Sequence, residues 1–453
     1  MNAFDTIVSE LMHEENGGVM IDESLRFDAA TIQKVPLRYR IIALGFVRKM
    51  TLEELNQKLE ENGCAKLYAR SLWEAGLFYA FLNGLSYEEW SHLQDKCENI
   101  RNLPELQGKY FRDSKITVQD LKEYVTENSE GDELSLYTKH LTVMMEKKIA
   151  EAASGQGGFE AFLTENIKAF SLVREKTRYY FCKYLYFVLM TGIENYIEAI
   201  EAGETPENAA NLLTMFKGIT PLSRKKMTVP EIREFLNGCA ISCGEIFDDF
   251  NYFYFEYVDL DWVNVLLEYY GSFTDMPDDD RQRMAAALRR QDPKKYGPLS
   301  DDEIIESKQQ ELESREKEID SAYSLDGKGK GYQRNRAGEN TIRKYIRGTL
   351  DIDRTTLICF LLFFGDRADI PDDFRITESR LTEILLSCGF PGLRMNDDFD
   401  LFVMGYLDAD DPVEFLMQEV TNYALEDENF YLYNVYRNST SYNEEFKKLT
   451  GRE

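Results

Sequence analysis

The amino-acid sequence predicts an all-α protein made of two or three helical units, and three observations support this class. The chain has only 28 glycines and 11 prolines among its 453 residues, which is below the ~12% that is usual for these two helix-breaking residues. Apolar residues recur at spacings of three and four along most of the chain, as on one face of an α-helix. Capping-box pairs, such as Thr51 with Glu54 and Ser86 with Glu89, indicate where helices begin.

The first 105 residues are predicted to form a compact N-terminal helical unit. Two glycines at 17 and 18 end its first predicted helix, and Gly63 ends the third, because glycine readily adopts the left-handed conformation that follows many helices. The helices of this unit are predicted over residues 3–15, 37–49, 51–63, 70–83 and 86–100.

Residues 106–300 are predicted to form a central helical bundle. The segment 178–200 is apolar on most sides, which predicts a helix at the centre of the fold. The segment 246–273 is dense in aromatic residues and fits a strand as well as a helix, but its helical neighbours favour a helix. Further helices are predicted within 116–200 and at 206–217 and 228–240, and a loop is predicted at 291–301.

Residues 301–338 are predicted to connect this bundle to a C-terminal helical unit at 339–453. The segment 302–321 has the pattern of a charged helix whose three apolar residues are seven apart. We interpret it as an exposed connecting helix, with a short coiled-coil contact as the alternative. Four glycines among basic residues predict a flexible linker over 324–338.

Charge and cysteine content restrict the class of partner. The chain has 81 acidic and 53 basic residues, which gives a net charge of −28. Such a charge disfavours nonspecific binding to nucleic acids and to anionic membranes. The longest apolar stretches, near 179–193 and 355–365, are too short to span a bilayer. Seven scattered cysteines are typical of reduced thiols, so we expect a cytoplasmic protein with no membrane partner.

The chain matches itself at an offset of 326 residues. In both copies a helix ends at a glycine, a leucine follows in the connector, and a second apolar helix comes next. A short apolar helix precedes each copy and has an arginine near its start, Arg40 in the first and Arg354 in the second. This pattern predicts a duplicated helical hairpin. The matched pairs are Leu55/Leu381, Leu59/Leu385, Gly63/Gly389, Leu67/Leu393, Trp73/Phe399, Leu77/Val403 and Phe81/Leu407.

Both copies resemble a known helical module. The stretch 51–90, TLEELNQKLEENGCAKLYARSLWEAGLFYAFLNGLSYEEW, and the stretch 353–415, with DRTTLICFLLFFG and RLTEILLSCGFPGL, are similar to the module appended to bacterial helix-turn-helix regulators of the xenobiotic-response-element type. The resemblance covers residues 37–90 and 340–415. The helix-turn-helix domain that precedes the module in such regulators is not evident, and the second copy has an insertion, DRADIPDDFRITES. The resemblance implies a regulatory or interaction role.

The residue sets that carry common chemistries are not found in the sequence. Cys239 and Cys243 are four apart, which predicts a buried pair on one helix; a zinc site needs two further ligands nearby. The segment 327–331 lacks the residue order of a phosphate-binding loop. We therefore predict no catalytic, cofactor-binding or metal-binding residues and no cofactor. The three histidines, His13, His92 and His140, are far apart along the chain.

Acidic residues occur in pairs near several predicted helix starts. An aspartate at a helix start accepts free backbone N–H groups, so we interpret these pairs as helix caps. Binding of magnesium for phosphoryl chemistry is the alternative. The pairs lie at 278–280, 301–302, 372–373, 397–398 and 410–411.

One segment of this acidic chain, residues 328–354, is basic. Arg343 and Arg347 are four apart and therefore lie on one helical face. A cationic helix of this kind can hold a phosphate backbone, or it can dock on an acidic surface of the protein itself or of a partner, which we favour. The candidate contact residues are Arg334, Arg336, Arg343, Lys344, Arg347 and Arg354.

These patterns predict a non-enzymatic, cytosolic regulatory or adaptor protein that acts through protein–protein contacts. One alternative is a nucleic-acid-linked regulator of a mobile element or phage-defence locus that uses residues 328–354. The other is an enzyme or toxin-like effector with an unrecognised site. A protein partner is expected, whereas the net charge disfavours nucleic acid.

Overall fold

The computed structural model describes residues 37–101, 115–129, 138–154, 158–251, 278–307 and 330–412, apart from residues 63, 65, 70, 71, 292 and 396. It also describes Ile7, residue 310, residues 429–431 and part of 414–419. Within these residues the fold is all-α, with one small two-stranded antiparallel sheet, so the predicted class is confirmed. None of the described helices combines the length and the apolarity that a membrane span requires.

The N-terminal helices begin where their capping residues predict. The Thr51 hydroxyl accepts the N–H of Glu54 at 3.2 Å, and the Glu54 carboxylate accepts the N–H of Thr51 at 2.7 Å. Ser86 and Glu89 make the same reciprocal pair at 3.2 and 2.8 Å. The predicted helix at 3–15 lies outside the described residues except for Ile7, which is buried. The helices are α1 (Leu37–Arg48), α2 (Leu52–Glu61), α3 (Leu72–Asn83) and α4 (Tyr87–Arg101).

The central helices are organised around one long helix, α7. It has 44 residues, which corresponds to about 66 Å at 1.5 Å per residue. Lys183 interrupts its apolar run and is accommodated because its ammonium lies 3.5 Å from the centre of the Phe374 ring, a favourable cation–π contact. The helices are α5 (Val118–Glu127), α6 (Thr138–Ser154) and α7 (Gly158–Glu201).

The segment after α7 contains the two strands. Residues 206–217 form a short helix, a 3₁₀ turn and a strand, in place of the predicted single helix, because Phe216 pairs with Ile241 of the second strand. The Ser242 N–H extends this pairing by donating to the Met215 carbonyl at 2.7 Å. The elements are α8 (Pro206–Ala209), β1 (Phe216–Lys217), α9 (Thr220–Arg224), α10 (Val229–Asn237), β2 (Ala240–Ile241) and α11 (Cys243–Asn251). The rest of the aromatic-rich segment 246–273 lies outside the described residues.

The C-terminal part differs from its prediction at two places. Residues 330–338 belong to a helix and not to a flexible linker, and residues 293–296 form a short helix within the predicted loop at 291–301. Two glycines weaken the first turns of the 330–347 helix by about 1 kcal/mol each, but its second half buries Ile342, Tyr345 and Ile346 and stabilises the whole helix. The helices are α12 (Asp278–Gln291), α13 (Pro293–Tyr296), α14 (Lys330–Arg347), α15 (Arg354–Arg367), α16 (Glu378–Ser387) and α17 (Asp398–Asp408). Residues 301–307 and residue 310 are also helical. The other residues of the predicted charged helix at 302–321 lie outside the described residues.

The buried apolar residues form three clusters, and they do not follow the predicted boundary at residue 338. One cluster lies within α1–α4, a second joins α3, α4 and α6 to the first half of α7, and the largest joins the second half of α7 to α11, α14, α15 and α16. The Phe181 and Phe360 rings stack at 3.9 Å between centroids in the largest cluster. Because α15 is buried along its middle, from Leu357 to Phe364, it needs neighbours on every side. The central bundle and the C-terminal unit therefore share one core.

Candidate functional site

The described structure contains two similar three-helix modules. We call α1–α3 (residues 37–83) the first module and α15–α17 (residues 354–408) the second module. Their middle helices begin and end alike. At the start of α2 the Thr51 side chain accepts the Glu54 N–H, and at the start of α16 the Thr377 side chain accepts the Arg380 N–H. At the ends of these helices, the Cys64 N–H donates to the Leu59 carbonyl at 2.9 Å and the Phe390 N–H donates to the Leu385 carbonyl at 2.8 Å. The residue numbers of each bonded pair in the second module are those of the first module plus 326, which is the offset of the sequence match.

Each module also contains a buried ion pair around one carboxylate. In the first module, Glu74 accepts the Tyr68 N–H at 2.9 Å and lies 2.8 Å from a guanidinium nitrogen of Arg38. In the second module, Asp400 accepts the Arg394 N–H at 3.0 Å and binds both terminal nitrogens of Arg354 at 2.8 and 2.9 Å. Adding 326 to positions 68 and 74 gives 394 and 400. The duplication therefore includes a buried acid that the sequence comparison missed.

The arginine of the first module is Arg38 and not Arg40, which the sequence comparison matched with Arg354. The two arginines precede their carboxylates by 36 and 46 residues, because the longer stretch from the arginine to the end of the first helix and the longer connector of the second copy together add ten positions. Arg40 is completely buried, and burial lowers its pKa to about 10. The sequence does contain a signal for the carboxylates of the two ion pairs. Glu74 in LWEAGLF and Asp400 in DFDLFVMG are acidic residues within apolar helices, and they are separated by the same offset of 326.

The two modules meet near their ion pairs. The Tyr68 ring packs edge-on against Phe390, with centroids 5.6 Å apart. Burial raises the pKa of Glu74, with a small addition from the nearby charge of Asp353, while Arg38 opposes the rise. Burial likewise raises the pKa of Asp353, the cap of α15, and Arg38 again opposes it. Charged groups of both modules therefore influence one another across the contact.

Asp397 is the most clearly perturbed carboxyl of the second module. It caps α17 by accepting the Asp400 N–H at 3.0 Å, and it pairs with Arg394. Burial and the like charge of Asp400 raise its pKa to about 6, against the lowering effect of Arg394. Asp411 also caps, by accepting the Glu414 N–H at 3.1 Å. These bonds bear out the cap interpretation for the pairs at 397–398 and 410–411, whereas Ser300 caps the helix that begins at 301–302 and no side chain caps the turn at 372–374.

The predicted contact residues whose side chains the structure describes fall into three groups. Arg354 is 8% exposed and donates to Asp400 and to the carbonyls of Pro391 and Gly392, so it stabilises the second module and is not available to a partner. Arg343 is partly buried and pairs with Glu339 within α14. The last group is at or near the surface: Lys344 is exposed and Arg347 is partly exposed. Arg334 and Arg336 lie on the first part of α14, where side chains are not described.

The two neighbouring cysteines do not share a helix. Cys239 follows the end of α10, Cys243 is the first residue of α11, and β2 lies between them. Both are buried, as predicted, and burial raises the pKa of both thiols, that of Cys243 to about 11. These thiols are therefore protonated at neutral pH, which makes them poor nucleophiles.

No protein-family model matches this chain, and no curated protein and no solved structure is significantly similar to it. Within the described residues, no group of three or more His, Cys, Asp or Glu side chains is arranged to hold a metal ion. The resemblance of residues 37–90 and 340–415 to the regulator module remains a prediction.

Proposed function

We propose that this chain is a regulatory or adaptor protein of the cytoplasm that acts by binding another protein. The observation that carries the proposal is the pair of three-helix modules with equivalent caps and equivalent buried ion pairs, packed together through Tyr68 and Phe390. Helical units that repeat and pack side by side form extended surfaces, which repeat proteins use to bind partners.

The buried charged groups support this proposal because they form ion pairs between helices of the same module. Arg38 and Glu74 hold α1 to α3, while Arg354 and Asp400 hold α15 to α17. Each carboxylate is also bonded to the connector that precedes its helix. These groups thus stabilise the modules, whereas catalytic acids and bases lie beside a substrate.

The cysteines support the cytoplasmic location. All seven are free thiols, and six of them are buried. Free thiols persist in the reducing cytoplasm, and secreted proteins usually oxidise them.

The proposal is tested by purifying the affinity-tagged chain from its native host after mild crosslinking. We expect one protein to be recovered in a fixed molar ratio, and light scattering to show a complex heavier than the 52.7 kDa chain. An unrelated tagged protein of similar size and net charge serves as the control for nonspecific capture. A monomer without any stoichiometric partner contradicts the proposal.

A nucleic-acid-linked regulator is the second candidate, because Lys344 and Arg347 remain at the surface of α14. In that case the triple change Arg343→Ala, Lys344→Ala and Arg347→Ala weakens binding in a gel-shift experiment and reduces its salt dependence. A gel shift that the triple change leaves unaltered, or no shift at any salt concentration, excludes this candidate.

A further inference from the structure

The strands and two helices bring separate basic residues to one surface. The β1–β2 pairing places Lys217 beside the start of α11, and α11 packs along α14. The Lys217 ammonium lies 2.7 Å from the Glu339 carboxylate of α14, which also pairs with Arg343 one turn later. Although burial raises the pKa of Glu339, its hydrogen bonds to Lys217 and Arg343 lower it overall, so this carboxylate stays ionised. We call the surface formed by Lys217, Arg343, Lys344 and Arg347 the basic surface.

Two of the sequence segments that supply the basic surface contain no acidic residue, although Glu339 lies within the surface and α11, which packs on α14, carries the exposed Glu245. Residues 208–230 and 340–350 contain no Asp or Glu, although the whole chain has 81. The first of these segments supplies Lys217 and, seven to nine positions later, Arg224, Lys225 and Lys226. All four are exposed, as is Lys344. A positive region of this kind in a chain with a net charge of −28 attracts anionic groups.

The basic surface does not serve to activate a thiol. Arg343, Lys217 and Arg347 all act on the nearby Cys243 thiol in the direction of ionisation, but burial outweighs them, and its pKa is raised to about 11. The thiol is therefore neutral at physiological pH.

We propose that the basic surface, extended by Lys225 and Lys226 of the same segment that supplies Lys217, binds an acidic segment of the partner protein. This inference rests on the proposed function and specifies the chemistry of the partner. Charge complementarity selects an acidic segment, since interfaces place opposite charges together and this guides association. Exposed lysines at Lys217, Lys225, Lys226 and Lys344 can each meet a carboxylate without disturbing the core.

Nucleic acid fits this surface less well than a protein segment does. Tyr345, the aromatic residue of α14 nearest to the basic residues, is buried against Phe181 at 5.5 Å between centroids, so it does not offer a face for base stacking. The net charge of −28 also repels a long polyanion more strongly than it repels a short acidic segment.

The experiment measures binding of a fluorescein-labelled peptide of alternating Glu and Ser residues by fluorescence anisotropy. The test variant carries Lys217→Gln, Lys225→Gln, Lys226→Gln and Lys344→Gln. The control variant carries the same loss of four charges at lysines elsewhere on the surface: Lys66→Gln, Lys122→Gln, Lys147→Gln and Lys294→Gln. All eight side chains are exposed, so both variants should fold, and circular dichroism verifies this.

We expect the peptide to bind the unchanged protein, with an affinity that falls as salt increases. The test variant should bind about tenfold more weakly or worse, since it loses four exposed charge pairs, and the control variant should bind like the unchanged protein. The proposal is overturned if the peptide does not bind, or if both variants lose affinity equally. Tighter binding of a single-stranded or double-stranded oligonucleotide of the same charge also overturns it and favours nucleic acid.

The co-purification experiment separates this proposal from the proposed function. If the test variant still recovers a stoichiometric partner, the basic surface is not the contact, and the proposed function stands. If the unchanged chain recovers no partner, the proposed function fails even when the peptide binds.

Discussion

The two modules have the same local design but different surroundings. The first has its own apolar cluster around Leu55 and Leu59, whereas the helices of the second contribute Leu381 and Leu385 to the largest cluster of the protein. Equivalent leucines thus build a separate core in one copy and part of a shared core in the other. The comparison shows that a helical hairpin with fixed caps can either stand beside a fold or be absorbed into it.

The buried ion pairs of the two modules also differ in their contacts. Arg38 lies 2.8 Å from Glu74 and donates to the Lys66 carbonyl at 3.5 Å, whereas Arg354 binds both oxygens of Asp400 and two carbonyls of the connector. Removing one member of a buried pair leaves the other charged and desolvated, and the second pair is the more deeply buried, since the side chain of Asp400 is 0% exposed and that of Glu74 is 4% exposed. The second module should therefore be the more sensitive of the two.

The largest effect is expected for Arg354→Ala. This change leaves the Asp400 carboxylate, which is completely buried, without its bidentate partner, and it frees the Pro391 and Gly392 carbonyls. We expect the free energy of unfolding to fall by about 3–5 kcal/mol, measured by chemical denaturation. Arg354→Lys keeps the charge but loses the two-pronged geometry, so it should lose less. Equal losses for the Ala and Lys variants would show that geometry is irrelevant here.

A pH effect is expected from Asp397. Its pKa is raised to about 6 in the folded protein, above the value near 4 of an unfolded chain. The folded state therefore binds this proton more tightly, and the contribution of Asp397 to stability falls as pH rises from about 4 to about 6, by at most about 3 kcal/mol.

The variant Asp397→Asn isolates this contribution, because asparagine is also a good helix cap. The free energy of unfolding of the unchanged protein, minus that of Asp397→Asn, should decrease across this pH range. Urea denaturation at several pH values measures it. A difference that is constant with pH would show that Asp397 does not hold a proton in this range.

A smaller and more local effect is expected for Arg38→Ala. The change leaves Glu74 buried without this partner, at a cost of about 1–3 kcal/mol, and the separate core of the first module should confine the damage. Hydrogen exchange should become faster in α1–α3 and stay unchanged in α15–α17. Faster exchange in both modules would indicate that the contact between Tyr68 and Phe390 couples their stability.

The sequence predicted the features of the modules that depend on local rules. Thr51, Glu54 and the offset of 326 identify the caps and the duplicated hairpin, because capping depends on residues only three positions apart. The pairing of Arg38 with Glu74 depends on which face of α1 meets α3, which local spacing does not determine, so the sequence matched Arg40, and not Arg38, with Arg354. The helix over 330–338 was missed for a related reason, since the distant packing of Ile342 and Ile346 outweighs the nearby glycines.

The smallest effect compares the two caps. Thr51→Ala and Thr377→Ala each remove a hydroxyl that accepts a free N–H, which costs about 1 kcal/mol. Thr51 also has Glu54 as its reciprocal partner, whereas the equivalent position in the second copy is Arg380, which has no carboxylate to accept the Thr377 N–H. Thr51→Ala should therefore lower the free energy of unfolding more than Thr377→Ala does, as measured by thermal denaturation, and Thr51→Ser should restore it. If Thr377→Ala has the larger effect, burial of α16 in the shared core matters more than the capping box.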